Sequence, residues 1–197
     1  DLTAPEQLQL TSMIGQNAQR LARIVEDVLN VARAPRAGEG GDAGEFSTHS
    51  LALDEAVQRF TLDWSRQNKS SHKTCLMLGA ADCQVSFDPE HLRRVLVNLL
   101  DNALRYSGQH PRSIVVTTGG GRLRVWSDGA PLDLTVQKHL FEPFFSSESR
   151  SSGLGLYICR ELCERHGAAL SYSRESATPD APDVQGNCFQ VDMKVYR

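Results

Sequence analysis

Asp88-Pro89-Glu90 opens the segment that most restricts how this chain can fold. Asp is a favoured N-cap residue, and Pro suits the first helical position, where its missing N–H is no loss. The helix this start predicts runs from residue 88 to about Tyr106. Its apolar stripe is Leu92, Val95, Leu96, Leu99, Leu100 and Ala103. Asn98, Asp101, Asn102 and Arg105, at i, i+3, i+4 and i+7, share the opposite face. Such a helix must lay one side on a core and keep a polar side for another purpose.

The surrounding segments supply the core. Residues 51–67 read as a helix, 73–80 and 83–87 as strands. "SIVVTT" (113–118) and "RLRVWS" (122–127), joined by glycines, read as a hairpin. "DGAPLD" (128–133) is a turn, and "QKHLFEPFFSS" (137–147) a short helix with an aromatic cluster. "GLGLYICRELCERHGA" (153–168) is a glycine-led helix that Gly167 ends. "ALSYSR" and "NCFQVDMKVY" close the chain as strands. The expected class is α+β, a two-layer α/β sandwich with helices on one face of a mixed or antiparallel sheet.

One long helix is expected ahead of this domain, over residues 4–34. Leu10, Ile14, Ala18, Leu21, Ile24, Val25, Val28, Val31 and Ala32 fall at gaps dominated by three and four. Alone it cannot bury that stripe, so it needs another chain, a missing segment or the following domain. The Gly-, Ala- and Pro-rich run after it reads as a linker. The expected division is helix 1–34, linker 35–44 and main domain 45–197.

Net charge is −3 with pI near 6.1, which lacks the clustered basic surface of a nucleic-acid binder. No apolar run approaches the roughly 18 residues of a membrane span, and "DLTAPEQLQL" has no signal-peptide layout. A cytoplasmic location is expected, any membrane anchor belonging to regions absent from this sequence. The five cysteines, Cys75, Cys83, Cys159, Cys163 and Cys188, include no CxxC pair. Cys159 and Cys163, one helical turn apart, suit a metal or a disulfide; buried thiols on a helix face are the more ordinary reading.

The polar face of the 88–106 helix carries the chemistry. The amides of Asn98 and Asn102, one turn apart, offer oxygen ligands to a hard cation such as Mg²⁺. Arg105 and Tyr106 add a cation and a hydroxyl suited to phosphate. A generic helix with these residues would simply be solvated on that side. "SSGLGL" (151–156) is a plain glycine turn into a helix or a bare backbone for wrapping phosphate.

Taken together, four runs resemble the boxes of two-component sensor histidine kinases and their ATPase superfamily. "RRVLVNLLDNALRYSG" (93–108) is similar to the N box, "SDGAPLD" (127–133) to the first glycine box, "FEPFF" (141–145) to the F box, and "SSGLGL" to the second glycine box. They occur in the family's order and cover about 45–197. The resemblance implies a Bergerat-type sandwich with ATP between the N-box helix and a lid. It implies Asn102 as the Mg²⁺ ligand, with Asn98 beside the phosphates as a second candidate, and Arg105 and Tyr106 as phosphate-end neighbours. Ser127, Asp128 and Gly129 fall in the adenine box, and Phe144 at the lid base beside Phe145. Ser152, Gly153, Leu154, Gly155 and Leu156 fall in the loop whose N–H groups approach the phosphates. Asn98, Asn102 and Arg105 are the residues it would implicate in catalysis.

The resemblance also gives the 4–34 helix a meaning, as the second helix of a dimerisation and phosphotransfer hairpin. The first, bearing the phosphorylated histidine, is missing from this sequence, and none of His49, His72, His91, His110, His139 or His166 has that setting. The implied activity is transfer of the ATP γ-phosphate to a histidine and then to a response-regulator aspartate, in a parent protein that dimerises through the hairpin and is anchored in the inner membrane. "LYICRELCERHGA" and "FFSSES" look most like pilus- or nitrogen-type sensors, whose regulators are enhancer-binding transcription activators. Some positions depart from the pattern. Ser127 stands where the family has its adenine-reading Asp, Asp128 is one residue late, and Pro131 replaces the second Gly. Ser151 replaces a Gly, and Glu148 a Lys for which Arg150 is a substitute. Either Asp128 swings in to read adenine or Ser127 does. A module whose weakened adenine box leaves it acting through protein contacts is the alternative. Chaperone and mismatch-repair ATPases usually carry Glu where Asn98 stands; an amide cannot take a proton from water.

Overall fold

The structure is a computed structural model and describes residues 50–145, 153–177 and 184–196. The chain divides into two units, Asp1–Asp42 and Ala43–Arg197. The expected 4–34 helix and 35–44 linker lie outside the described residues, all of which belong to the second unit.

Among the described residues, eleven elements succeed one another in order: β1 (Ser50–Ala52), α1 (Leu53–Gln67), β2 (Thr74–Met77), β3 (Gln84–Ser86), α2 (Pro89–Tyr106), β4 (Ile114–Gly119), β5 (Arg122–Ser127), α3 (Leu134–Lys138), α4 (Gly155–Arg165), β6 (Ala169–Ser176) and β7 (Gln185–Asp192). The main sheet runs β2-β4-β5-β7-β6, with β2 parallel to β4 and every other pair antiparallel. β1 and β3 form a separate antiparallel pair. The expected sandwich is what is seen.

α2 matches its sequence reading closely. The Asp88 side chain accepts a bond from the His91 N–H at 2.9 Å, Pro89 is the first helical residue, and all six stripe residues are buried. Each large apolar side chain so buried stabilises the fold by roughly 1.5–3 kcal/mol. α2 packs on α1, α4, β4 and β5. Along β5, Leu123, Val125 and Ser127 face one side and Arg124 and Trp126 the other. Trp126 joins Val115 and Cys188 in a small cluster with Cys75 and Ala177, which holds no helical residue. The helices therefore cover the Leu123, Val125 and Ser127 face.

The turn chemistry acts as expected at two places. Gly120 and Gly121, both at positive φ, make a two-residue connection between paired Gly119 and Arg122. Gly167, at φ +62°, ends α4: its N–H reaches the Glu164 carbonyl and the Ala168 N–H reaches the Cys163 carbonyl. Elsewhere the structure corrects the reading. The aromatic run 141–145 is not helical; the helix there is α3, which Asp133 caps through the Thr135 N–H. Pro143 biases Glu142 away from helical backbone, and Phe144 sits at φ +62°. The last strand stops at Asp192, and Val195 bridges to Val85 of β3 instead.

All five cysteines are free thiols. Cys159 donates to the Val95 carbonyl at 3.7 Å, and burial pushes Cys163 up to about 12. Among the described residues, no group of three His, Cys, Asp or Glu is placed to hold a metal, and no helix is long and apolar enough to cross a membrane.

Candidate nucleotide site

The site is built where α2 meets the segments on either side of α3. Asn98 and Asn102 sit half-buried on α2, and neither side chain has a hydrogen-bond partner among the described residues. Asp101 leaves that polar face: its carboxylate accepts the Trp64 indole N–H at 2.7 Å and ties α2 to α1. The four-residue face read from sequence thus loses Asp101 to the fold and keeps the two amides and Arg105.

The start of α4 lies beside the first amide. A Cβ placed on Gly155 would stand 3.6 Å from the Asn98 Oδ1. The N-cap residue of α4 is Leu154, buried at 4% exposure, whose apolar side chain gives no capping bond. Gly153, at φ +65°, packs on the backbone of the aromatic run. A Cβ there would lie 2.6 Å from the Phe144 carbonyl carbon and 2.7 Å from the Phe145 oxygen, so only glycine fits. Leu156, the residue after Gly155, is half-buried, and Phe144 is exposed. Ser152, together with Glu148, Arg150 and Ser151, lies outside the described residues.

The other end of α2 meets the 127–130 loop. Tyr106 is the last residue of α2, half-buried, while Arg105 is exposed. A Cβ on Gly129 would come within 2.8 Å of the Tyr106 carbonyl oxygen. Ser127, 5% exposed, points to the helix-covered face of the sheet. Asp128 is turned aside. Its carboxylate, 9% exposed, accepts the Gly108 N–H at 2.7 Å and faces His110 Nδ1 at 3.0 Å, while its own N–H donates to the Ser113 carbonyl at 3.1 Å. Asp128 thus fastens the loop after α2 to the end of β5. The fold brings the four sequence runs together: mid-α2 with Gly155, the end of α2 with Asp128 and Gly129, and Gly153 with Phe144 and Phe145.

The sequence reading missed Asn187 of β7. It is 4% exposed, pairs in register with Ser127, and donates through Nδ2 to the Ala130 carbonyl at 2.9 Å. The strand mixes polar and apolar residues throughout, so its sequence carries no local signal that singles out Asn187. The aromatic run is held by Phe141, whose ring meets Phe189 of β7 edge-on at 6.5 Å.

At the far end of α2 and α4, His91 Nδ1 and His166 Nε2 lie 2.8 Å apart, and the His166 ring stacks on Phe87 at 4.3 Å. Burial, then the neighbouring His91, pushes His166 down to about 4; burial lowers His91 too.

A family model described as histidine kinase-, DNA gyrase B- and HSP90-like ATPase matches residues 87–197, and the chain belongs to that family. The described unit is its ATP-binding catalytic domain. The sensor protein kinase PilS of Pseudomonas aeruginosa is 34% identical over 200 residues, covering 97% of this chain. The sensor histidine kinase ZraS of Klebsiella oxytoca is 30% identical over 170 residues, covering 82% of it. The chain spans 34% of the length of each. Among solved structures, the catalytic domain of histidine kinase ThkA superposes with a TM-score of 0.62 at 23% identity, over 74% of this chain and 95% of that one. Full-length ShkA in complex with AMPPNP superposes with a TM-score of 0.69 at 22% identity, over 100% of this chain and 40% of that one.

Proposed function

We propose that this chain is the catalytic portion of a sensor histidine kinase. It binds ATP with Mg²⁺ and presents the γ-phosphate to a histidine on a helix outside this sequence, from which the phosphoryl group passes to a response-regulator aspartate. The observation that carries the reading is the approach of Gly155 to the Asn98 amide. It sets the N-terminus of α4, with its favourable dipole, across from the half-buried face that carries both amides, neither of which has a hydrogen-bond partner among the described residues.

The donor set suits the cofactor. Two amide oxygens one helical turn apart are hard ligands, as Mg²⁺ prefers, and leave room for its waters. When bound, Mg²⁺ offsets phosphate charge. Asn102 and Asn98 would hold that end, Arg105 and Tyr106 would close the same face, and the backbone of Gly153, Leu154, Gly155 and Leu156 would line the opposite wall. Phe144 marks the lid base. At the base end Ser127, rather than the occupied Asp128, faces the pocket, and Gly129 lets the loop pack directly on the Tyr106 carbonyl. Catalysis of this kind is mostly positioning and electrostatics. Asn98 cannot act as a base on water, which favours transfer over hydrolysis.

Residues 1–34 then supply the second hairpin helix of a homodimer and 35–44 the hinge on which the 45–197 domain swings. Likeness to PilS and ZraS supports a response-regulator partner, in this reading an enhancer-binding transcription activator, with no nucleic acid bound by this chain itself. The chain works on the cytoplasmic side of an inner-membrane-anchored parent.

Calorimetric titration of the 197-residue chain with ATP, with and without Mg²⁺, tests the proposal. Affinity should depend on Mg²⁺, and Asn102→Ala should weaken it by roughly tenfold to a hundredfold with the melting temperature unchanged. A folded chain that binds no ATP sinks the reading and leaves the protein-contact module in its place.

A further inference from the structure

The sheet side of the base end is organised around one buried amide. Asn187 stands in register with Ser127 on one side and Arg174 of β6 on the other. Its Nδ2 donates to the Ala130 carbonyl at 2.9 Å, and its Oδ1 accepts from the Tyr172 hydroxyl at 2.9 Å and from Arg174 Nη1 at 3.2 Å. The same guanidinium nitrogen donates to the Gly129 carbonyl at 3.1 Å, and Nη2 donates to the Gln185 carbonyl at 3.0 Å. Gly129 is pressed between the two sides: a Cβ on it would lie 2.8 Å from the Tyr106 oxygen and 3.0 Å from Asn187 Nδ2.

A buried amide in a strand is a poor choice for stability alone. It loses water and gains only if its partners are present and aligned. Here the amide's one donor contact and the second contact of the guanidinium fall on the loop, at Ala130 and Gly129. The network is complete only while the loop holds one position.

We propose that Asn187 and Arg174 are positioning residues for nucleotide binding: they hold the Gly129 and Ala130 carbonyls against the sheet and so set the width of the base slot between Ser127 and the end of α2. This inference rests on the nucleotide-binding reading above. Neither residue is assigned a contact with the nucleotide; both act through the loop. Ser127, at the adenine-box position, carries no charge, so the slot's affinity rests on shape, which the brace supplies.

The test uses the full 197-residue chain and its Asn187→Ala and Arg174→Met variants. Each is titrated with ATP and with inorganic tripolyphosphate, both with Mg²⁺, and deuterium uptake is followed across residues 128–133. Both variants should bind ATP about tenfold more weakly, the loss expected for hydrogen bonds to charged or buried groups. Tripolyphosphate affinity should stay within about twofold, and uptake at 128–133 should rise while that of α2 does not. If Asn187→Ala fails to fold, Arg174→Met decides alone, since its exposed guanidinium can be removed without touching the strand ladder. Unchanged ATP affinity and unchanged uptake in a folded variant overturn the proposal. So does an equal loss of tripolyphosphate affinity, which would mark a general loosening. A wild-type chain that binds neither ligand overturns the nucleotide reading itself and is told apart by that result.

Discussion

The two ends of α2's working face are built in opposite ways. At the Asn98 and Gly155 end, two amide side chains have no hydrogen-bond partner among the described residues, and Gly155 sets the start of α4 beside the first of them with no side chain between. At the Ser127 and Asp128 end, nearly every polar group is committed: Asp128 to Gly108 and His110, Asn187 to Ala130, Arg174 to Gly129. Unsatisfied polar groups in a half-buried setting cost stability, so a fold keeps them where a ligand will complete them. A braced end instead provides shape. The braces at Asp128, Asn187 and Arg174 hold the loop after Ser127 without any charge on Ser127 itself.

The contrast predicts that substitutions at the two ends separate stability from affinity. The largest effect is expected at the braced end. Asp128→Ala leaves the Gly108 N–H without its acceptor and should lower unfolding free energy by about 1–3 kcal/mol, read by urea denaturation. A variant as stable as wild type would mean the bond at Gly108 is not formed in solution. Gly155→Ala should do the reverse. A methyl 3.6 Å from Asn98 Oδ1 is an ordinary contact, and alanine favours helix, so stability should hold or rise slightly. Nucleotide affinity should fall several-fold, because the methyl stands in the gap; full affinity would place the ligand elsewhere.

The smallest effect lies away from both ends, at His91 and His166. With the His166 pKa at about 4 in the fold against the ordinary 6.5, the unfolded chain binds more protons between those values. Stability is therefore full above pH 6.5 and falls as pH drops toward 4. Asp88 opposes the shift, while Arg165 reinforces it at both rings and Arg94 at His91. Both rings are half-exposed, so solvent mutes the change. A His166→Phe variant should flatten the slope between pH 6.5 and 4 in thermal melts; an unchanged slope would assign it to other groups.

The elements written in a local code were legible. The Asp88 cap, the six-residue stripe of α2, the Gly120–Gly121 connection and the Gly167 helix end each depend on residues within a turn or two of one another. The family's runs were legible for the same reason, each being a short segment with its own backbone demand. What the chain order hid was pairing at a distance. Asp101 looked like part of the amide face because the helical period puts it there; Trp64, 37 residues earlier, takes it away. Asp128 looked available to a base because nothing nearby in sequence marks Gly108 or His110 as its partners. Asn187 was invisible as a site residue because its meaning lies in its register with Ser127 and Arg174.

The sequence by itself determined an α+β domain, the helix that bears the amides, and the glycines that open α4 and close it. These properties come from period, capping and φ, which act over a few residues. Only the tertiary structure decided which polar groups are left for a ligand and which are used to hold the fold. That choice depends on which strands and helices become neighbours, and a hydrogen bond is satisfied or left open only once they do.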